Sequence, residues 1–248
     1  MTLSRDELLP LPVRRYVERA VSAAPTLPRL VRITQVGEMR QQPGGRWLRF
    51  SAVQELAVEE VAFDWRARFP IVPLVSLRVV DRYAAGEGLL QARLWGLIPV
   101  MSGRGQHTNE GEAIRYLSEL AWVPHAMLAN RGLEWRELDE RTVEVATRVG
   151  PARVAVRLEF DAAGDIVSAS TGERPRLAGK KIVPTPWGGV FSEYAVLGGI
   201  RVPTRAEVSW ELADGPFTYW HGRVTSLETG QHSLVGQPLS ARDLTVRG

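Results

Sequence analysis

The chain has 248 residues, a formal net charge of +3, 44% hydrophobic and 24% charged residues, and no cysteine. That length suits one large all-β or mixed domain or two small ones, and the apolar fraction excludes wholesale disorder and collagen-like structure. The missing cysteine excludes disulfides, cysteine-ligated zinc, iron–sulfur clusters and a cysteine nucleophile, and it favours a reducing compartment.

The isoelectric point near 9.6 rests on a small excess of arginine. Lys180 and Lys181 are the only lysines, and the arginines are interleaved with acids, as in Asp139-Glu140-Arg141. No basic patch forms, so no nucleic-acid partner is expected. The start, Met1-Thr2-Leu3-Ser4-Arg5-Asp6-Glu7, lacks the basic and apolar regions of a signal peptide. No stretch approaches the ~18 apolar residues of a span, so no membrane insertion is expected and the chain reads as soluble and cytoplasmic.

Val13, Tyr16, Val17, Ala20 and Val21 share one face of a first helix, with Pro12 near its start and Pro25 and Pro28 closing it. Strand signals follow: residues 31–36, a Pro43-Gly44-Gly45 turn, residues 47–56, then Phe63, Trp65, Ala67 and Phe69 on one strand face. Residues 75–83 and 89–98 read as a hairpin about Gly86-Glu87-Gly88, and 102–109 as a loop. An interior helix is expected over about 110–128, capped by Asn109 and kinked or ended by Pro124. Strands over 133–138, 142–149, 152–160 and 165–171 then form a meander, a Gly/Pro/Arg-rich loop spans 172–189, and strands over 190–197, 200–212 and 217–228 complete the chain.

Short strands at hairpin spacing, with no strand–helix–strand rhythm and no fixed repeat, predict a mainly β (α+β) fold. It is one curled antiparallel sheet, a half-barrel of about ten strands, with the N-terminal helix and the interior helix covering or plugging the concave side. The expected domain is 1–230, with a loose tail over 231–248.

Phosphate loops, dinucleotide fingerprints, zinc-protease and nucleophile-elbow motifs are all absent. The four histidines, His107, His125, His221 and His232, show no metal-ligand spacing, so neither metal nor cofactor is expected. His107 and His125 flank the interior helix as loop and helix-end residues, or as a general base. Glu112, Arg115, Tyr116 and Glu119 form a polar cluster on that helix. It is either a solvated ion-pair ladder or, if the face points into the hollow, an acid–base and oxyanion-binding group beside Trp122. The eight tryptophans are either core or the wall of an aromatic pocket, with Trp187 the best candidate because its surroundings read as a loop.

Thr185-Pro186-Trp187-Gly188-Gly189, Gly199-Ile200-Arg201-Val202-Pro203-Thr204, Glu207-Val208-Ser209-Trp210, and Asp214-Gly215-Pro216-Phe217 with Tyr219-Trp220 are similar to motifs of a bacterial family of unknown function common in actinobacteria. The likeness covers about residues 8 to 228, and includes Leu11–Tyr16, Gly45-Arg46-Trp47 and Glu112–Trp122. Members of that family look distantly similar to lipoprotein-carrier half-barrels, whose curled sheet binds acyl chains. His125 and His221 stand where the resemblance leads one to expect other residue types, so histidine chemistry would belong to this member alone.

Two functions are therefore carried forward. The first is binding of a hydrophobic small molecule or lipid in the hollow, by Arg115, Tyr116, Trp122, Trp187, Tyr194 and Trp210. The alternative is a cofactor-independent cyclase, isomerase or lyase using Glu112, Glu119, His125 and His107. An interaction module with an exposed sheet edge is a third option. The sequence leaves the oligomeric state open.

Overall fold

A computed structural model describes residues 9–24 and 26–231. Pro25, His232 and nearly all of the expected tail lie outside these described residues. The strands are β1 Leu30–Met39, β2 Leu48–Ala57, β3 Phe63–Val72, β4 Val75–Ala84, β5 Glu87–Leu94, β6 Ile98–Gly103, β7 Glu134–Asp139, β8 Thr142–Val149, β9 Ala152–Phe160, β10 Ile166–Ala178, β11 Lys181–Leu197, β12 Ile200–Leu212 and β13 Gly215–Gly230. All thirteen join one antiparallel sheet in the order β6-β5-β4-β3-β2-β1-β13-β12-β11-β10-β9-β8-β7. Two meanders are thus sewn together where the first strand meets the last, from Leu30 opposite Gly230 to Met39 opposite Trp220.

The sheet has thirteen strands where about ten were expected; twelve match the strand segments read from sequence, and the thirteenth arises because the stretch read as a strand over 89–98 is broken. Trp95-Gly96-Leu97 turns the chain, and β6 runs back along β5 where a loop was expected. A second correction concerns 172–189, which is no loop. It is the outer part of the β10–β11 hairpin, with Pro175 opposite Pro184. β10 pairs with β9 only as far as Ser170, and β11 pairs with β12 only from Trp187 onward. The ribbon between them projects past its neighbours, so Pro175, Pro184 and Pro186 have an open side on which a missing N–H breaks no ladder bond.

The two sheet edges, β6 and β7, are connected through the concave side by helix α2 (Gln106–Ser118), a 3-10 turn (Glu119–Trp122) and helix α3 (Pro124–Ala129). Proline starts α3 rather than kinking one long helix, and Val123 before it is outside the helical region at φ −132° and ψ 59°. Asn109 lies inside α2 and does not cap it; its Oδ1 instead accepts from the Gly88 N–H at 2.8 Å. Ala113, Ile114, Leu117 and Leu120 of this segment are wholly buried, as are Val143, Val145, Val156 and Leu158 of β8 and β9. Helix α1 (Leu11–Ala20) buries Val13, Tyr16, Val17 and Ala20, and the Tyr16 hydroxyl donates to the Ala121 carbonyl at 2.8 Å. The face of Phe63, Trp65, Ala67 and Phe69 is buried as its alternation requires.

One polar hub ties α1 to the sheet. Asp165, just before β10, accepts from Arg19 of α1 and from both terminal nitrogens of Arg201 on β12, while its own N–H donates to Asp161. Asp165 is 7% exposed while both arginines are partly exposed, so removing its carboxylate costs three charge-assisted hydrogen bonds but leaves the guanidiniums within reach of water. Asp165→Ala is expected to lower unfolding free energy by about 2 kcal/mol in urea titrations, with Asp165→Asn intermediate.

Candidate functional site

The curl leaves a cavity of about 300 Å3 between the sheet and one face of α2. Its walls come from both meanders, with Leu77 and Val79 of β4 and Met101 of β6 on one side and Trp187, Phe191 and Trp210 of β11 and β12 on the other. Five of the eight tryptophans border it: Trp65, Trp122, Trp187, Trp210 and Trp220. Three of these have their indole N–H already engaged. Trp65 donates to Gln35 at 2.9 Å, Trp122 to the Pro203 carbonyl at 2.9 Å and Trp187 to the Tyr219 hydroxyl at 3.0 Å. These three indoles have spent their donors within the protein, so they offer a guest chiefly apolar ring surface.

The remaining wall is charged. Arg115 of α2 donates through Nε to Glu119 at 2.9 Å and through Nη1 to Asp81 of β4 at 2.6 Å. Its guanidinium also lies 4.8 Å from the Phe63 ring centroid and 5.1 Å from that of Trp65. Glu119 accepts a second bond from Gln54 of β2. Arg174 of β10 lies 4.2 Å over the Trp187 ring and 4.0 Å from Glu112 Oε2. Three carboxyl groups thus face two guanidiniums in a space with little water. Burial, reinforced by the neighbouring Asp81 charge, pushes the Glu112 carboxyl well above its ordinary value, against the pull of Arg174 and Arg115. A proton on Glu112 leaves two carboxylates against two arginines, which balances the cluster. Burial opposes charge on Arg115 too, but Glu119 and Asp81 outweigh it and hold the guanidinium charged. Glu112 Oε2 and Asp81 Oδ1 are buried at this wall, where the two carboxyls are placed to share a proton.

Of the residues singled out from sequence, Glu112, Arg115, Glu119, Trp122, Trp187 and Trp210 all meet at this cavity. The Arg115–Glu119 pair has the i, i+4 spacing of a solvated ladder, but it faces the hollow. Trp187 reaches the wall from a strand, not from a loop. Tyr116 does not line the cavity. One residue beyond Arg115, it is turned about a quarter-circle away, where its hydroxyl donates to the Ala57 carbonyl at 2.8 Å and accepts from Asn130 at 3.1 Å. Tyr194 is likewise structural, with its hydroxyl donating to the Ile166 carbonyl at 2.7 Å. His107 is on the surface, 3.7 Å from Glu110. His125 is buried away from the cavity with Nε2 2.9 Å from the Ala24 carbonyl, and burial lowers its pKa. Among the described residues no group of three or more histidines, aspartates or glutamates is placed to hold a metal ion.

Asp81 and Arg174 were missed. Asp81 was legible, because it continues the inward alternation Leu77, Val79, Asp81, Tyr83 as a lone acid on an apolar face. Arg174 gave no signal while its segment read as a loop.

Residues 2–222 match the family of unknown function DUF6544, and the chain belongs to that family. No protein of curated function matches it. Among solved structures the chain is similar to a DUF1329 family protein from Desulfovibrio piger, at 12% identity and a TM-score of 0.49, covering 96% of each chain. It is also similar to a LolA superfamily protein from Nitrosomonas europaea, at 9% identity and a TM-score of 0.47, covering 94% of this chain and 98% of that one.

The raised Glu112 pKa has a defined consequence for stability. Above the ordinary value of 4.5 the folded chain keeps a proton that the unfolded chain has lost, so this group makes stability fall as pH rises, until Glu112 ionises in the folded state as well. Glu112→Gln mimics the protonated carboxyl and is expected to remove that part of the decline. Urea midpoints measured across the window upward from pH 4.5 check this; parallel wild-type and variant profiles would contradict it.

Proposed function

We propose that this protein binds one compact hydrophobic molecule, or a lipid with a single short chain, in the cavity beneath α2. One observation carries the reading: an indole-walled hollow with charged groups gathered on a single wall. A volume of about 300 Å3 lies at the small end of the range for ligand sites, ~300–1,000 Å3. The apolar body of the guest lies among Trp65, Trp187, Trp210 and Phe191, and its polar end meets α2. Three carboxyl groups stand there, those of Asp81, Glu112 and Glu119, with Glu112 placed to share a proton with Asp81 beside it. They favour a guest that brings hydrogen-bond donors, a hydroxyl or an amine, over one that brings a carboxylate. An amine adds a further match, since its charge can replace the proton that Glu112 otherwise holds.

Titration with decanol, decylamine and decanoate, followed by tryptophan fluorescence, tests this. The alcohol and the amine are expected to bind about tenfold tighter than the carboxylate. Ala206→Phe, which places a ring in the cavity from β12, is expected to abolish binding of all three while leaving the urea midpoint near its native value. No response to any of them would overturn the proposal.

The raised pKa of Glu112 and its place beside Asp81 favour a second reading, in which a bound guest is isomerised, cyclised or cleaved by proton transfer without a cofactor. Glu112 would donate, Asp81 would accept, and Arg115 would hold developing negative charge. A ligand recovered with the protein and incubated with it distinguishes the two. Conversion by the native chain but not by Glu112→Gln would establish catalysis, and unchanged recovery from both would leave carriage.

A further inference from the structure

We propose that the tips of the β3–β4 and β5–β6 hairpins seat this protein on the surface of an anionic lipid bilayer. Large apolar side chains stand in the open there. Leu74 is 98% exposed, Leu97 79% and Trp95 50%, with Val72, Ile98 and Val100 beside them in the same exposed class. They form one patch, because the four strands are consecutive in the sheet and the tips are joined: the Trp95 N–H donates to the Ser76 carbonyl at 2.9 Å and its indole N–H to the Leu74 carbonyl at 3.2 Å.

The backbone gives an independent reason to regard these side chains as selected. Leu74 and Trp95 occupy left-handed conformations, at φ 67° and 52°, where glycine or asparagine is the ordinary choice. Among the other sheet turns, those at Gly179 and Gly215 use glycine and the β4–β5 turn pairs Gly86 with the small Ala85 at φ 52°, so none carries a large apolar side chain there. Placing a leucine and a tryptophan in such positions strains the turn and adds nothing to the core.

Charge selects the occupant. Residues 67–80 and 88–104 contain Arg68, Arg78, Arg93 and Arg104 and no acid, whereas the whole chain carries a net charge of only +3. The Arg78 side chain lies directly against Gly96 in the β5–β6 tip. An apolar patch holding a tryptophan, collared by arginine, matches the boundary between acyl chains and anionic headgroups. A peptide added along the β6 edge would cover the ladder but leave Leu74 and Leu97 bare, because both sit in turns beyond the strand ends. No helix of the described residues is long and apolar enough to cross a membrane, so the contact proposed is a peripheral one. Leu77 and Val79, a few residues from Leu74, and Met101, a few residues from Leu97, line the cavity. Docking through these tips therefore sets the cavity wall next to the bilayer.

The full chain sedimented with vesicles of phosphatidylcholine, and separately with vesicles of phosphatidylcholine containing phosphatidylglycerol, tests the proposal. Binding is expected to the anionic vesicles, to weaken with added salt, and to fall at least about tenfold in Leu74→Asn/Trp95→Asn. Asparagine suits the left-handed backbone, so this variant relieves strain, and its decanol titration reports the cavity separately from docking. Arg78→Gln/Arg93→Gln is expected to remove the preference for anionic lipid. Failure to bind either vesicle, equal binding to both, undiminished binding by the asparagine variant, or an effect of that variant confined to self-association would each overturn the proposal.

Discussion

The architecture turns on a charged network set beneath a helix in what would otherwise be a continuous apolar core. Arg115 is held between Asp81 on β4 and Glu119 on its own helical segment, and Glu119 is held in turn by Gln54 on β2. Arg174 approaches from β10, across the curl. Taking such groups out of water is costly, and close pairing, together with a Glu112 carboxyl whose pKa burial raises, makes the arrangement tolerable. The same fixity keeps the hollow open. A purely apolar helix face could settle toward the sheet and fill the space, as packed interiors tend to do. Side chains tied down by ion pairs cannot follow it, so a void survives beside them.

Selection by this void would come from two unlike surfaces. The tryptophans whose N–H groups are satisfied within the protein offer area and shape without direction. Glu112 and Asp81 offer direction with little area. Under the proposed binding function, such a division would permit a range of apolar bodies while fixing which end points at α2.

Much of this was legible in the chain, for reasons specific to each element. Period-two alternation marked the buried face of Phe63, Trp65, Ala67 and Phe69, and helical spacing placed Glu112, Arg115 and Glu119 together, because both patterns report local geometry. Tyr116 was assigned to the same face through its i+4 distance from Glu112, yet a helix turns far enough in the one residue after Arg115 to aim it into the core. The β10–β11 ribbon was hidden because proline and glycine ordinarily mark loops, and only the absence of outer neighbours makes them acceptable in a strand. The break at Trp95 was hidden for the opposite reason: an apolar, aromatic residue stands where a turn-former belongs. His107 and His125 were attractive for their chemistry alone, and nothing in sequence spacing reports which way a loop or a helix end faces.

The seam between β1 and β13 has a consequence for how the molecule is made. β1 is synthesised early and has β2, the next strand, as one neighbour, but its other side has no partner until residues 215–230 have left the ribosome. Across that interval the growing chain presents an unpaired strand edge, the kind of surface that recruits wrong neighbours. Closing it joins residues some two hundred positions apart, a late and slow step in any folding order governed by chain connectivity. A nascent chain of this topology therefore depends on protection of that edge until its final strand arrives.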